Sequence, residues 1–102
     1  MDYDQPLTLV ESALFSAWLQ ALGDDRARAR IKWRLDRLGL GLTGDVRPVG
    51  SGVSELRIHD GSGYRVYFIR KGLQVTLLVG GHKGTQVSDI ATALQMVRAR
   101  KE

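Results

Sequence analysis

Residues 61–80 read GSGYRVYFIRKGLQVTLLVG and predict a β-hairpin. Residues 64–70 alternate their side chains as a strand does, and residues 73–80 contain the apolar run VTLLV, which suits the centre of a sheet. Lys71 and Gly72 form a tight turn between the two runs. Because strands joined by so short a connection pair as a hairpin, we expect an antiparallel sheet.

The first strand of this hairpin has two chemically different faces. Alternation places Tyr64, Val66 and Phe68 on one face and Arg65, Tyr67 and Ile69 on the other. We expect the first face, Tyr64 included, to lie on the core, and the face with Arg65 to point outward. An arginine beside a tyrosine on an outward face is explained either by plain solvation or by a site for a phosphate-rich ligand.

Two further strands and a helical hairpin are predicted before this point in the chain. Residues 7–10 and 53–59 have the pattern of strands. Ser12 is a good N-cap for a first helix that Gly23 stops, and Asp24 begins a second helix with an acidic residue where the helix dipole favours it. Helices joined by so few residues form an antiparallel pair.

The remaining segments complete an α+β order. Residues 39–46 are predicted to be loop, and Pro48 and Gly50 divide the next stretch into turns. Residues 85–102, TQVSDIATALQMVRARKE, form a final amphipathic helix whose inward residues are predicted to be Val87, Ile90, Ala91, Leu94 and Val97. The order β-α-α-β-β-β-α describes one α+β domain over residues 1–102, with no internal repeat.

Composition restricts the class of protein. A chain of 102 residues with 43% hydrophobic and 25% charged residues is typical of one soluble globular domain. The absence of cysteine excludes a disulfide scaffold, a thiol nucleophile and a thiolate metal site, and it fits a reducing compartment. The opening MDYDQPLTLV is unlike a secretory signal, and no apolar stretch is long enough to span a bilayer. We therefore expect a cytoplasmic location.

The charge of the chain favours a polyanionic partner. Fifteen Lys and Arg against eleven Asp and Glu give a net charge of +4 and a pI near 9.9, which favours nucleic acid. Residues 24–41, DDRARARIKWRLDRLGLG, contain an apolar stripe and a separate basic face on one predicted helix. The stripe is Ala27, Ile31, Leu35 and Leu38, and the basic face is Arg26, Arg30, Trp33 and Arg37.

Four blocks of this sequence resemble a known family. They are DRARARIKWRLDRL, GDVRPVGSGVSELRI, GSGYRVYF and LLVGGHKGTQVSDI. In order and spacing they are similar to the RelE/ParE toxin superfamily, and in particular to its branch of addiction-module killer proteins, which is HigB-like. The resemblance covers about the whole chain. It implies a RelE/ParE-like fold, in which a twisted antiparallel sheet packs against an N-terminal helical hairpin and is followed by a C-terminal helix.

The resemblance also implies a function. Members of this superfamily are toxins of type II toxin–antitoxin systems, and the branch that this chain resembles implies a ribosome-dependent mRNA endonuclease. Two alternatives exist on the same scaffold. One is an inhibitor that binds DNA gyrase without catalysis. The other is a degenerate toxin that acts only in antitoxin-bound transcriptional autoregulation.

RNA cleavage by the ribose 2′-OH needs a proton acceptor, a proton donor and stabilisation of the phosphorane charge. By motif, Arg65 of GYR matches the family's most regular active-site arginine. Arg57 of ELRI and Lys83 of GGHK match basic positions on the preceding strand and after the central strand. His82 and His59 are the acid–base candidates near neutral pH, and His82, beside Lys83, is the preferred one. The alternative explanation for each of these residues is a solvated surface group.

Further residues are expected to contact RNA, the ribosome or an antitoxin. Tyr67 is predicted either to stack on a base or to pack in the sheet. The other residues expected to contact RNA or the ribosome are Arg26, Arg30, Arg37, Arg47 and Lys71. The helix arginines are explained either by a solvated face or by attraction to ribosomal RNA phosphates. Trp33 is the expected anchor for the antitoxin.

No metal or cofactor is expected, because two separated histidines without clustered carboxylates make a poor metal site, and GSGVSEL is not a phosphate loop. Nucleases of the family that carry a tyrosine in the last helix are not matched, since Asp89 and its neighbours occupy that stretch. The resemblance therefore assigns no general base. The expected partners are a cognate helix-turn-helix antitoxin, the ribosome and mRNA, with operator DNA bound only through the antitoxin and no membrane.

Overall fold

A five-stranded mixed sheet with helices on both faces forms the centre of the computed structural model, which describes residues 6–59, 61 and 63–100. The strand order is β1-β5-β4-β3-β2. In chain order the elements are β1 (Thr8–Glu11), α1 (Ala13–Ala21), α2 (Asp25–Gly39), β2 (Val46–Gly50), β3 (Val53–Ile58), β4 (Tyr64–Lys71), β5 (Gln74–His82), a 3-10 turn (Lys83–Thr85) and α3 (Gln86–Arg100). The predicted α+β fold with an N-terminal helical hairpin and a C-terminal helix is confirmed. The last two residues of the predicted final helix lie outside the described residues.

The predicted hairpin is present as β4 and β5. The two strands pair antiparallel from Tyr64 opposite His82 to Lys71 opposite Gln74, with a bulge at Tyr67 and Phe68. The predicted antiparallel pairing holds from β2 to β5, whereas β1 pairs with β5 in parallel and makes the sheet mixed. The amide of Thr8 donates to the carbonyl of Leu73, so both strands start at the same end of the sheet.

The predicted turns around Pro48 are instead the edge strand β2. This strand pairs antiparallel with β3, and Pro48 lies opposite Ser54. A proline is tolerated here because an edge strand has one side without a ladder partner, and the register shifts between Pro48 and Gly50. Pro48 and Gly50, which predicted turns, therefore mark an irregular edge strand.

Two hydrophobic clusters lie on the two faces of the sheet. The larger is formed under the helical hairpin by Phe15, Leu19, Ile31, Leu35, Leu38, Leu56, Ile58, Val66, Phe68, Val75 and Leu77. Tyr64 packs partly buried against it, as predicted. The smaller is formed under α3 by Val53, Tyr67, Ile69, Leu78, Val79, Ala93 and Val97. The face of β4 that was predicted to point outward is thus covered by α3, because this face also carries large apolar side chains, Tyr67 and Ile69.

The helices follow their sequence signals closely, with two exceptions on α3. The Ser12 side chain accepts from the Phe15 amide at 3.0 Å and donates to the Leu78 carbonyl at 2.8 Å, which fixes the start of α1 on β5. The predicted apolar stripe of α2 is buried. On α3, Val87 is 85% exposed, so its predicted inward position is wrong. Ala91 is also exposed, and Ala93 takes its place in the core. No helix among the described residues is long and apolar enough to cross a membrane.

Candidate functional site

Two arginines predicted for catalysis lie side by side at one end of the sheet. Arg57 on β3 and Arg65 on β4 are register partners, and Arg65 is in turn opposite Gly81 on β5. Lys83 follows β5 at the same end, where its Cβ is 3.8 Å from the position that a Cβ on Gly63 would occupy. Like charges directly opposite each other destabilise a sheet, so this arrangement needs compensation.

Three nitrogens of this arginine pair lack hydrogen-bond acceptors in the described part of the chain. Among the described residues, Nε of Arg57 and both Nε and Nη1 of Arg65 are buried without a partner. The side chain of Arg65 is only 11% exposed, so its predicted outward position is wrong. The reason is that α3 covers this face of β4. A buried donor without an acceptor costs about 1–3 kcal/mol, and three of them lie in this small region.

The buried carboxylate of Glu55 connects four elements beneath α3. Its Oε2 accepts from the Tyr67 hydroxyl at 2.9 Å and from Gln86 Nε2 at 2.9 Å, and its Oε1 accepts from Arg47 Nε at 3.1 Å. Nη1 of Arg65 lies 3.5 Å from Oε2. Burial raises the pKa of Glu55, but hydrogen bonds from Tyr67, Gln86 and Arg47 outweigh it, and the net pKa is lowered. Glu55 is therefore an anion at the centre of the site.

Two of the predicted RNA contacts belong to this network. Tyr67 is fully buried, so the prediction that it stacks on a base is wrong and its alternative, packing in the sheet, is confirmed. Burial and the bond to Glu55 raise the pKa of Tyr67, which keeps its hydroxyl protonated as a donor. Arg47 pairs with Glu55 while its side chain stays 51% exposed, so it borders the site.

His59 is oriented by a carboxylate next to Arg57. Its Nε2 is 2.5 Å from Oδ2 of Asp45, and the Oδ1 atom of Asp45 accepts from Nη2 of Arg57 at 3.2 Å. The hydrogen bond from His59, and then that from Arg57, lower the pKa of Asp45 against the opposing effect of its desolvation. With an ionised Asp45 as acceptor, Nε2 carries the proton and Nδ1 keeps its lone pair. His59 can therefore accept a proton.

His82 has the opposite arrangement. Its Nδ1 accepts from the Gly84 amide at 3.0 Å, and its own amide donates to Oγ1 of Thr85 at 3.2 Å, which closes the 3-10 turn. In the neutral ring the proton then lies on Nε2. His82, the acid–base candidate preferred from sequence, thus presents an N–H donor at the strand end, whereas the arrangement of His59 suits a proton acceptor.

Two consecutive glycines on β5 let the helices approach this end of the sheet. A Cβ on Gly80 would lie 2.1 Å from Cε3 of Trp18, and a Cβ on Gly81 would lie 1.8 Å from Oδ2 of Asp89. Since Gly81 is opposite Arg65, the first turn of α3 is fixed directly beside the arginine pair. The hydroxyl of Thr85 donates to the same Asp89 carboxylate. Any larger residue at either glycine would displace α1 or α3.

The predicted basic face of α2 is exposed and organised around Trp33. The Cζ atoms of Arg30 and Arg37 lie 4.9 and 4.8 Å from the centroid of the Trp33 ring, which is 47% exposed. Arg26 is also exposed. Arg34 instead points inward and donates to the carbonyls of Arg57 and Thr43 at 2.9 and 3.0 Å. It thereby ties α2 to the strand that carries the site.

Lys71 is not brought to the site. It ends β4 at the hairpin turn, six residues from Arg65, which is roughly 20 Å along the strand. Sequence reasoning also missed Glu55, although its position between Val53 and Arg57 in VSELRI was a signal, because a charged residue alternated with them on one face. Within the described ranges, no group of three or more His, Cys, Asp or Glu residues is placed to hold a metal ion.

Comparisons with known proteins cover most of this structure. The protein-family model described as phage derived protein Gp49-like (DUF891) matches residues 17–100, from α1 to the end of the described part of α3. An uncharacterized protein of Haemophilus influenzae is 48% identical over 80 residues, which is 78% of this chain and 81% of that relative. The region matched by the family model contains the arginine pair, Glu55 and both histidines.

Proposed function

This chain belongs to the phage-derived Gp49-like family, and on that premise we propose that it is the toxin of a type II toxin–antitoxin system. Membership of this family is consistent with a toxin role. The RelE/ParE resemblance of the four sequence blocks supplies the finer proposal, an mRNA endonuclease that acts on the ribosome and inhibits translation. The reaction is a metal-independent transesterification within RNA.

The observation that carries this proposal is the pair of arginines held side by side at one end of the sheet, with side chains 31% and 11% exposed. A phosphate group has several acceptor oxygens, and the planar fork of an arginine binds two of them at once. An anion bound at the exposed part of Arg57 and Arg65 would offset the repulsion between the opposed charges. A phosphodiester of RNA is the anion that fits the basic charge of the chain.

Different residues at this end of the sheet can perform the separate steps of the reaction. His59, oriented by Asp45, takes the proton of the 2′-OH, whose oxygen bonds to phosphorus while the bond to the 5′-oxygen breaks. Arg57, Arg65 and Lys83 stabilise the charge of the phosphorane. His82 donates a hydrogen bond from Nε2 to the leaving 5′-oxygen, which takes its proton from a solvent water molecule. The products are a 2′,3′-cyclic phosphate and a 5′-hydroxyl.

The outer face of α2 is the proposed ribosome contact. Arg26, Arg30 and Arg37 are exposed there, and lysine or arginine contacts to phosphates add sequence-independent affinity. In this proposal the cognate antitoxin covers the same face through Trp33, and operator DNA is bound through the antitoxin alone. Burying Trp33 under the antitoxin would then block the ribosome sterically.

Induction of the protein in cells, followed by primer extension on an abundant transcript, tests the proposal. We expect growth arrest and cuts in phase with codons, which disappear when translation is blocked before induction. Intact mRNA together with trapped gyrase–DNA breaks would show that the protein is a gyrase inhibitor and not an endonuclease. Normal growth with intact mRNA would leave only a role in antitoxin-bound autoregulation.

A further inference from the structure

A cavity of about 600 Å³ lies between the first half of α2 and the turn that joins β3 to β4. Tyr64 and Gly61 line it from the strand side, and the small side chains of Ala27 and Ala29 line it from the helix. Arg26 and Arg30 border the same cavity. None of its residues belongs to the set assigned to the cleavage reaction.

The chemistry of the lining combines an aromatic ring with two cations. The ring of Tyr64 is half-buried and held edge-on by Trp18, with their centroids 6.3 Å apart. This contact fixes the ring in place while leaving part of it in the cavity. Aromatic rings stack on nucleobases of any sequence, and arginines pair with phosphates. The volume is in the range of pockets that hold small ligands.

Among the described residues that line the cavity, Asp24 is the only acidic one, and its carboxylate already accepts hydrogen bonds from the protein. Oδ1 of Asp24 accepts from the amides of Arg26 and Ala27, at 3.0 and 3.2 Å, as the N-cap of α2. The free amides of this helix end are therefore occupied by the protein's own carboxylate. A phosphate in the cavity would bind to the arginine side chains and not to the helix terminus.

We propose that this cavity is a subsite for one nucleotide of single-stranded RNA, with its base against Tyr64 and its phosphate between Arg26 and Arg30. Tyr64 is adjacent to Arg65 in β4 and opposite His82, so the subsite lies at the same end of the sheet as the proposed scissile phosphate but on the other face of the sheet. The nucleotide bound here is therefore a different one from the nucleotide that is cut. This identification of the ligand as RNA depends on the proposed function.

Nucleotide binding to the purified protein tests the subsite without any cleavage assay. Adenosine 5′-monophosphate is titrated into ¹⁵N-labelled protein, with inorganic phosphate at equal concentration as the matched probe. We expect saturable amide shifts at Ala29, Gly61 and Tyr64 with the nucleotide that phosphate does not reproduce. Equal shifts with both probes, or none at these residues, would overturn the proposal.

Variants separate stacking from general disturbance of the fold. Tyr64→Phe keeps the ring and should bind like the parent, whereas Tyr64→Leu should bind about tenfold more weakly. Ala29→Phe fills the cavity from an exposed helix position and should abolish the shifts, while Ala91→Phe on α3 should not. Thermal unfolding checks each variant, and parent-like binding by a folded Ala29→Phe would contradict the subsite.

The failure of this inference is distinguishable from failure of the proposed function. Nucleotide bound in the cavity of a protein that cuts no mRNA would keep the subsite and remove the endonuclease. Cleavage by a folded Ala29→Phe variant at the parent's rate and positions would remove the subsite and keep the endonuclease. If that variant cleaves normally but loses the antitoxin, the cavity receives a side chain of the partner instead.

Discussion

Nη1 of Arg65 lies 3.5 Å from Oε2 of Glu55, a carboxylate whose side chain has no solvent exposure. The pair is close enough for strong attraction in a buried setting, yet Nη1 makes no hydrogen bond among the described residues. Glu55 thus holds the arginine by charge and leaves its donors unpaired. An arginine fixed in position by a buried carboxylate is suited to bind a phosphate at its exposed edge.

Replacement of the Glu55 carboxylate should destabilise the protein and change its response to acid. Glu55→Gln would turn an amide group toward donors, and the free energy of unfolding should fall by about 1–3 kcal/mol. Because the folded pKa of Glu55 is lowered, its stabilisation is present above the unfolded pKa of about 4.3 and is lost as pH falls through the folded value. Denaturant titrations from pH 7 to pH 3 should therefore show a flatter acid limb for Glu55→Gln.

The matched control for that experiment is Asp36→Asn, which removes one charge from an exposed position on α2. It should leave both the stability at pH 7 and the acid limb close to those of the parent. If Glu55→Gln and Asp36→Asn behave alike, the buried network does not stabilise the fold.

Loss of the arginine fork should slow cleavage strongly without unfolding the protein. Arg65→Lys keeps a charge beside Glu55 but loses the bidentate fork, so cleavage should fall about a hundredfold. Alanine is a poorer test, because Arg65 is largely buried and its removal would leave Glu55 without this charge. Arg70→Lys, an exposed arginine at the far end of the same strand, should cleave normally.

The two other cations should contribute separately. Arg57→Ala and Lys83→Ala should each lower cleavage by about tenfold to a thousandfold if each stabilises phosphorane charge. Single-turnover rates on programmed ribosomes measure the effect. Unchanged rates in both variants would remove the basic end of the sheet from the mechanism, whatever the target of the toxin.

Reversing charge on the outer face of α2 should weaken ribosome binding. Arg30→Glu combined with Arg37→Glu should lower the affinity and flatten its dependence on salt, because each lost phosphate contact reduces the slope by about one. Arg98→Glu with Arg100→Glu makes the same change of net charge in the last turn of α3 and is the control. Ribosome binding like the parent at every salt concentration would mean that the α2 face is merely solvated.

Removal of the exposed tryptophan should separate toxicity from neutralisation. Trp33→Ala should remain toxic but escape the cognate antitoxin, with binding weaker by about 2 kcal/mol or more, as for a central aromatic of an interface. Calorimetric titration with the purified antitoxin measures the loss, and Val87→Ala at an exposed position of α3 should bind normally. Unchanged affinity of Trp33→Ala would place the antitoxin interface elsewhere.

The parts of the fold that sequence predicted are those set by local chemistry. The caps at Ser12 and Asp24, the α2 stripe and the β4–β5 hairpin each follow from a few neighbouring residues, and each is confirmed. The edge strand β2 was missed because Pro48 gives the same signal in a turn and at a sheet edge. The parallel pairing of β1 was missed because it joins segments more than sixty residues apart.

The candidate site was likewise predictable only where local sequence patterns determine it. Sequence reasoning found Arg57 and Arg65 as basic residues on adjacent strands, and the register places them opposite each other. It did not predict that α3 covers Arg65, since that requires Gly81 to accept Asp89 against its backbone. The buried state of Arg65 and Tyr67, and the central position of Glu55, follow from this packing of α3 and not from any local pattern.

Mapping of RNA ends in a purified translation system tests the central claim most directly. Ribosomes programmed with a defined mRNA are mixed with the parent protein or with Arg65→Lys, and the fragments are analysed by primer extension and mass spectrometry. We predict cuts by the parent in phase with the reading frame, only on translated mRNA, with 2′,3′-cyclic phosphate ends, and about a hundredfold slower cutting by Arg65→Lys. Intact mRNA at saturating protein, or equal cutting by the two proteins, would contradict the account.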